Sequence, residues 1–230
     1  MTGSPPKRLF LLHTMPFVMD VIIGPLQRAF ADEHPDVDIQ TMLDTSLLAD
    51  TMRDGRVSEV TAARLLAYVQ AAERAGADLL LLTCTSMGAG MAHVREFCAL
   101  PTLCITEPMV EEALDLGTRF GIVGTVPTSP AQIIDPLVEA ARRRGLEPGD
   151  LAITVEVAEE AFAARGHGDT AEHDRLVSAA VAGLAGDHQL DCILLAQASM
   201  SGTRYDDPGV PVLTLGASAF RRAGELLYPA

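Results

Sequence analysis

Three strand-like segments in the first half of this 230-residue chain recur in the same order in its second half. The matched pairs are Arg8–Pro16 with Arg119–Pro127, Asp78–Met87 with Asp191–Met200, and Pro101–Ile105 with Pro211–Leu215. Their offsets are 111, 113 and 110 residues, so the spacing is nearly constant. One such match can arise by chance, but three in order at one spacing predict two similar halves.

Short apolar runs alternate with longer amphipathic segments along the chain, which indicates parallel sheets flanked by helices. We predict strands near 8–13, 37–43, 78–84, 102–106, 119–124, 152–157, 190–196 and 211–215, and helices that include 58–75, 108–117, 130–145 and 170–186. The expected fold is α/β, with two pseudo-symmetric, duplicated α/β/α domains, each with a parallel sheet, and an active-site cleft between them. The first domain is 1–108, with a C-terminal helix 216–230 packed on it, and the second is 109–215.

Charge and apolar content exclude several classes of partner. The formal net charge of −14 repels phosphate backbones and anionic lipids, so we expect neither nucleic acid nor membrane partners. The apolar run after Arg8 is broken at His13, Pro16 and Asp20, unlike a signal peptide, and no run is long enough to span a bilayer. The four cysteines lie in or beside apolar runs without metal-type spacing, which favours reduced thiols and a cytoplasmic location.

Cys84 is the candidate catalytic residue, because it ends the most hydrophobic strand-like run and precedes a helix. The free N–H groups and partial positive charge of a helix N-terminus favour a thiolate there. The alternative is a structural role as a small buried hydrophobic side chain. For Cys98, Cys104 and Cys192 we expect the structural role.

Small polar residues occur where the predicted strands lead into helices. Such turns bind anions through backbone N–H groups and hydroxyls, and none of these turns contains lysine or arginine. We therefore expect a substrate carboxylate to be held by amides and hydroxyls. Helix capping is the alternative, above all for Thr14 and Ser129. The candidates are Thr14, Thr85, Ser86, Thr125, Thr128, Ser129 and Ser199.

His13 ends the first predicted strand, where it could contact substrate or act as a general acid, or else be a core histidine. His167, Asp169, Glu172 and His173 lie around a helix start, and capping with dipole stabilisation accounts for them better than a metal, so we expect no metal site. The chain has neither a dinucleotide fingerprint nor a phosphate loop with lysine, so we expect no nucleotide cofactor.

These motifs together resemble the aspartate/glutamate/hydantoin racemase superfamily. The segments that carry the resemblance include His13–Pro16, Cys84–Ser86, Thr125–Thr128 and Leu194–Met200. The resemblance implies two pseudo-symmetric α/β domains, no cofactor, and a homodimer or a higher homo-oligomer.

Racemases of this superfamily place two cysteines on opposite faces of the substrate α-carbon. The resemblance puts the first at Cys84 and the second at Gln197, whose amide cannot transfer a proton at a useful pKa. We therefore expect a small carboxylate-bearing carbon acid, an amino acid or a dicarboxylate, to be handled by one cysteine in a reaction of the isomerase or racemase type. The alternatives are a single-thiol decarboxylase or lyase resembling arylmalonate decarboxylases, and a non-catalytic carboxylate-binding protein. With Cys84 as the catalytic residue, the expected substrate contacts are His13, Thr14, Thr85, Ser86, Thr125, Thr128, Gln197 and Ser199.

Overall fold

The computed structural model describes residues 6–187 and 189–229 of the chain. The chain divides into two compact units, one made of Met1–Ile105 with Ala219–Ala230 and the other of Thr106–Ser218. The predicted first domain also includes residues 1–5 and 230, which lie outside the described residues. Each unit is described by itself.

The first unit contains a four-stranded parallel sheet with the order β2-β1-β3-β4. Its strands are β1 (Arg8–His13), β2 (Asp38–Leu43), β3 (Leu79–Leu82) and β4 (Thr102–Cys104). Its helices are α1 (Gly24–Glu33), α2 (Thr45–Asp54), α3 (Glu59–Arg74) and α4 (Gly88–Val94), and a π-helical segment (Val18–Ile23) runs directly into α1.

The second unit repeats this topology, with a parallel sheet in the order β6-β5-β7-β8. Its strands are β5 (Arg119–Gly124), β6 (Ala152–Val157), β7 (Cys192–Leu195) and β8 (Val212–Thr214). Its helices are α5 (Thr106–Leu116), α6 (Ala131–Arg143), α7 (Glu159–Gly166) and α8 (Thr170–Asp187). A last helix, α9 (Leu215–Leu227), crosses the boundary between the units.

The predicted α/β fold is confirmed, since all eight predicted strands and the four named helices are present within a few residues of their expected ends. The strand predicted at 78–84 is one of the two that are shortened most, and it stops at Leu82. It stops there because Cys84 already precedes a tight 3₁₀ turn, Thr85–Met87, that leads into α4.

The duplication extends to side-chain contacts at the start of the sheets. In the first unit a carboxylate oxygen of Asp78 accepts the backbone N–H of Arg8 at 2.8 Å. In the second unit Asp191 accepts the backbone N–H of Arg119 at 2.9 Å. The two aspartates are matched positions of the sequence repeat, so each half ties its first strand to its third in the same way.

Burial explains why the central strands read as continuous apolar runs. All four leucines of β3 (Leu79–Leu82) are buried, because helices cover both faces of a parallel sheet. Leu65, Val69 and Ala72 of α3 supply part of that cover, on one helix face. The edge strands β2 and β6 are only partly buried and carry mixed sequences. Among the described residues, no helix is both long enough and apolar enough for a membrane span.

The strand order fixes where a ligand would bind. In each sheet the first strand lies between the second and the third, so the chain leaves β1 and β3, or β5 and β7, in opposite lateral directions. Loops diverge at such a switch point and leave a crevice beyond the carboxyl ends of the strands. The residues there are Thr14 and Cys84 in the first unit, and Thr125 and Gln197 in the second.

Candidate active site

The sulfur of Cys84 is surrounded by hydrogen-bond donors. Cys84 is only 7% exposed and occupies the position before the 3₁₀ turn Thr85–Met87. The hydroxyls of Thr14 and Ser86 hydrogen-bond the sulfur, as do the backbone amides of Ser86 and Met87. The turn into α4 therefore does what the sequence predicted, which is to aim free N–H groups at the thiol.

Burial nevertheless raises the pKa of the Cys84 thiol, because it outweighs the opposing hydrogen bonds from Thr14, Ser86 and Met87. The amides of Ser86 and Met87 at the helix start lower the pKa of the thiol, as expected from the sequence, but burial is the larger effect. At neutral pH the group is a protonated thiol, and the donors around it are placed to stabilise the anion that forms when the proton leaves.

Thr14 does not cap a helix, contrary to the capping alternative. The nearest helical segment begins at Pro16, and the backbone N–H of Met19 donates to the carbonyl of Met15 at 3.1 Å, so Met15 holds the cap position. The Thr14 hydroxyl instead hydrogen-bonds Cys84. Thr14 is 5% exposed, so this hydroxyl is largely withdrawn from solvent. Thr14 and Cys84 follow the adjacent strands β1 and β3, which brings together residues 70 positions apart in the sequence.

His13 is a core histidine. It is fully buried, and Nδ1 lies 2.8 Å from Oγ1 of Thr83. The Thr83 hydroxyl donates to the carbonyl of Leu12 at 3.2 Å, so it accepts from Nδ1–H, and the buried Nε2 has no partner among the described residues. Burial lowers the pKa of His13 to about 4, against an opposing effect of Asp20.

The His13–Thr83 pair does not join the Cys84 site. Side chains alternate between the faces of a sheet, so His13 and Thr83 lie on the opposite face from Leu12 and Leu82. Cys84 packs in the same core cluster as Leu12 and Leu82. The imidazole is therefore directed away from the sulfur.

The second unit has a matching pair at the same place in its sheet. Oε1 of Gln197 accepts the backbone N–H of Thr125 at 2.7 Å and the Thr125 hydroxyl at 2.8 Å. Thr125 and Gln197 are the repeat partners of Thr14 and Cys84. Both halves thus join the residue directly after the first strand to the second residue after the third strand, once through a sulfur and once through an amide.

The amide nitrogen of Gln197 is left free by this arrangement. Gln197 is half-buried, and no described residue hydrogen-bonds its Nε2. Among the described residues, Nε2 of Gln197 is not one of the polar side-chain atoms that are both buried and unpartnered. Because it has no partner, it must be accessible to solvent. The two N–H groups are therefore available to a ligand.

The remaining predicted contacts differ in exposure. Thr85, Ser86 and Ser199 are half-buried in the turns after Cys84 and Gln197, whereas Thr128 is exposed. Ser129 does not cap α6, since its hydroxyl donates to the carbonyl of Val126 at 2.9 Å and the residue before the helix is Pro130. Ser129 instead occupies the space beside Gly124, the repeat partner of His13, where a Cβ would lie 2.3 Å from its Oγ.

The other three cysteines occupy structural positions. Cys104 is fully buried and its thiol donates to the backbone carbonyl of Cys84 at 3.4 Å. Cys98 follows a short 3₁₀ turn before β4 and is half-buried. Cys192 begins β7, and burial, with Asp191 and Glu112, raises its pKa to about 12. At a rise of about 3.3 Å per residue, Cys192 lies roughly 16 Å from Gln197 along the strand direction.

The histidine and acidic cluster around the start of α8 is explained by capping. A carboxylate oxygen of Asp169 accepts the backbone N–H of Glu172 at 3.0 Å, which satisfies a free donor of the first helical turn. His173 is buried and its Nδ1 contacts Asp174 at 2.9 Å. In the described part of the chain no three His, Cys, Asp or Glu side chains are grouped as metal ligands.

Comparison with known proteins fits this doubled architecture. The family model of the Asp/Glu/hydantoin racemases matches residues 24–223, most of the chain. The chain belongs to the Asp/Glu/hydantoin racemase family. Membership of this family places the protein among racemase-type isomerases. The family resemblance predicted from segments such as Cys84–Ser86 and Leu194–Met200 is therefore confirmed. None of the curated proteins matches the chain significantly.

Solved structures of racemases share the fold of this family member. An aspartate racemase homologue from Pyrococcus horikoshii aligns with a TM-score of 0.73 at 17% identity, covering 96% of this chain and 99% of that one. Allantoin racemase from Klebsiella pneumoniae aligns with a TM-score of 0.68 at 18% identity, over 96% and 87% of the two chains. Glutamate racemase RacE1 from Bacillus anthracis aligns with a TM-score of 0.60 at 15% identity, over 97% and 82%. At these identities the likeness concerns the fold.

Sequence reasoning missed Thr83, which fixes the tautomer and direction of His13, and the backbone amide of Met87, which contacts the sulfur. A signal for Thr83 was present, because it is the one polar residue in the apolar run before Cys84. No local signal indicates that Thr125 and Gln197 are joined, since they are 72 positions apart.

Proposed function

We propose that this racemase-family protein acts on a small carboxylate-bearing carbon acid, an amino acid or a dicarboxylate, through a single thiol at Cys84. The observation that carries the proposal is the set of hydrogen bonds on that sulfur, from the Thr14 and Ser86 hydroxyls and the Ser86 and Met87 amides. A purely structural cysteine needs no such donors. A sulfur that alternates between thiol and thiolate does.

The raised pKa of Cys84 favours a proton donor as the resting state. In the proposed step the S–H proton passes to a substrate carbanion, a C–H bond forms, and the remaining thiolate is held by the surrounding donors. The reverse step removes a proton from the same face of the carbon. No cofactor is needed, because the thiol itself exchanges the proton.

Hydroxyls and amides of the turns are proposed to hold the substrate carboxylate and the enediolate that forms from it. Thr85 and Ser86 are half-buried directly after Cys84, and Ser199 is in the equivalent turn after Gln197. In the second unit, the candidates for binding a carboxylate are the joined pair of Thr125 and Gln197 and the exposed hydroxyl of Thr128. His13 is left out of this set, because its imidazole is buried on the other face of the sheet.

Racemisation by two facing thiols is not part of the proposal. The resemblance assigns the second cysteine to Gln197, and the one cysteine of the second unit, Cys192, is at the opposite end of β7. A single thiol delivers a proton to one face of the carbon. We therefore propose a one-thiol isomerisation, in which the thiolate removes a proton from one carbon and the thiol returns it, on the same face, to another carbon of the conjugated carbanion. In the decarboxylase variant the bond to a carboxylate breaks instead, CO₂ leaves, the thiol protonates the resulting carbanion, and solvent restores the thiol.

Deuterium incorporation tests the proposal directly. Small dicarboxylates and amino acids are incubated in heavy water with wild type, Cys84→Ala and Cys98→Ala, and the α-carbon is followed by NMR. We expect exchange or turnover of at least one compound with wild type and with Cys98→Ala, and loss of it with Cys84→Ala. Exchange that survives in Cys84→Ala would remove the thiol from the mechanism.

A second candidate is a carboxylate-binding protein without catalysis, which the amide at Gln197 favours. It predicts that the same panel contains compounds that bind without exchange. Calorimetry on the same samples separates the two functions, because binding without deuterium uptake supports the second and contradicts the first.

A further inference from the structure

The orientation of the Gln197 side-chain amide is fixed by chemistry. A backbone N–H can only donate, so the Gln197 atom that lies 2.7 Å from the Thr125 nitrogen must be the oxygen. The Thr125 hydroxyl, at 2.8 Å from the same oxygen, adds a second donor. Both lone pairs of Oε1 are thereby occupied.

The opposite orientation is strongly disfavoured. A flipped amide would turn its NH₂ group toward the Thr125 N–H and leave that donor unpaired in a residue that is only 2% exposed. Gln197 therefore presents the free, accessible Nε2 to any ligand and has no acceptor to offer. A thiol at this position, by contrast, could both donate and accept.

We infer that Gln197 is a specificity-determining residue. It selects ligands that place a carboxylate oxygen against its Nε2 and rejects ligands that place an ammonium group against the same atom. The inference rests on the proposed function, since it takes Gln197 to contact the carboxylate substrate. It deepens that function by naming the preferred class: small dicarboxylates over amino acids of the same chain length whose ammonium would occupy this position.

Matched probes test the inference at several chain lengths. Malonate is compared with glycine, succinate with β-alanine, and glutarate with γ-aminobutyrate, so that each pair differs only in having a carboxylate or an ammonium at one end. For wild type we expect the dicarboxylate of at least one pair to bind about tenfold to a hundredfold more tightly in calorimetric titrations, as for a hydrogen bond to a charged group. The Gln197 side-chain NH₂ signal should shift in NMR spectra on addition of that dicarboxylate.

Gln197→Glu supplies the decisive variant, because it is nearly isosteric and keeps one oxygen for Thr125. Its second oxygen is an anionic acceptor, so the preference should invert in favour of the ω-amino acid. Gln197→Met should abolish the preference without inverting it, and it also covers the case in which the glutamate variant fails to fold. Gln189→Glu, at an exposed position of the same unit, controls for the added charge and should retain the wild-type preference.

The outcomes separate this inference from the proposed function. Failure of wild type to bind any carboxylate probe would overturn the proposed carboxylate site and the inference with it. Binding of dicarboxylates and ω-amino acids with equal affinity, unchanged in Gln197→Glu and Gln197→Met, would overturn the inference alone.

Discussion

The hydroxyl of Thr14 hydrogen-bonds the sulfur of Cys84, and this contact joins the ends of two adjacent parallel strands. The same relationship recurs between Thr125 and Gln197 in the second unit. Each half of the duplication therefore has a threonine that hydrogen-bonds the side chain just after the third strand, which is Cys84 in one half and Gln197 in the other. In one half the threonine contacts the thiol that we propose to be reactive, and in the other it orients an amide.

Replacing Thr14 by valine should raise the pKa of Cys84 further, because one of the donors that stabilise the thiolate is lost. We expect alkylation of Cys84 by iodoacetamide to become roughly threefold to tenfold slower near neutral pH, in line with one hydrogen bond. Peptide mass spectrometry follows the modified residue. Thr14→Ser keeps the hydroxyl and should restore the wild-type rate, and a fast Thr14→Val variant would show that the hydroxyl does not act on the sulfur.

In the wild-type protein, the reactivity of Cys84 should increase at more alkaline pH than that of a free cysteine. Burial raises the pKa of this thiol above its ordinary value, so the thiolate forms only under more alkaline conditions than for a free cysteine. The rate of carboxymethylation, measured against pH beside a free thiol such as N-acetylcysteine, should reach half of its maximum at higher pH for Cys84. A plateau already present at neutral pH would contradict this expectation and point to a resting thiolate.

His13 should make the protein less stable in mild acid. Its pKa is lowered from 6.5 to about 4 in the folded state, so the unfolded chain binds the proton more tightly. The stability contributed by neutral His13 is fully present above the unfolded-state pKa and is lost as the pH falls from about 6.5 toward 4. The total loss in the free energy of unfolding is ~3 kcal/mol. Urea denaturation across this range measures it.

The matched variants for this prediction are His13→Asn and His93→Asn. His13→Asn should be less stable at neutral pH but should lose much of the slope, whereas His93→Asn removes an exposed histidine and should keep it. A wild-type slope retained in His13→Asn would assign the acid sensitivity to other groups.

Gly124 should not tolerate even one added methyl group. A Cβ there would lie 2.3 Å from the Ser129 Oγ and 3.2 Å from Pro130, so Gly124→Ala forces the start of α6 to move. We expect a loss of about 1–3 kcal/mol in the free energy of unfolding. Gly183→Ala, on the exposed side of α8 with open space around the added group, should instead gain about 0.5–1 kcal/mol. Equal effects of the two substitutions in urea denaturation would refute the packing argument.

The doubled α/β architecture and the positions at which chemistry could occur are both predictable from the amino-acid sequence alone. Apolar runs such as Leu79–Leu82 are recognisable as buried strands because periodicity and composition are local properties. The repeat then placed Cys84 and Gln197 at equivalent strand ends, which the observed strand order of both sheets supports.

The pKa values and hydrogen-bond partners of those residues depend instead on the three-dimensional fold. The pKa of Cys84 depends on burial by distant segments, the neutrality of His13 on its face of the sheet, and the orientation of Gln197 on a threonine 72 positions away. Desolvation and hydrogen-bond pairing are sums over neighbours in space, and most of those neighbours are remote in the chain. A local pattern can therefore name a candidate side chain but not its protonation state or its donor and acceptor roles.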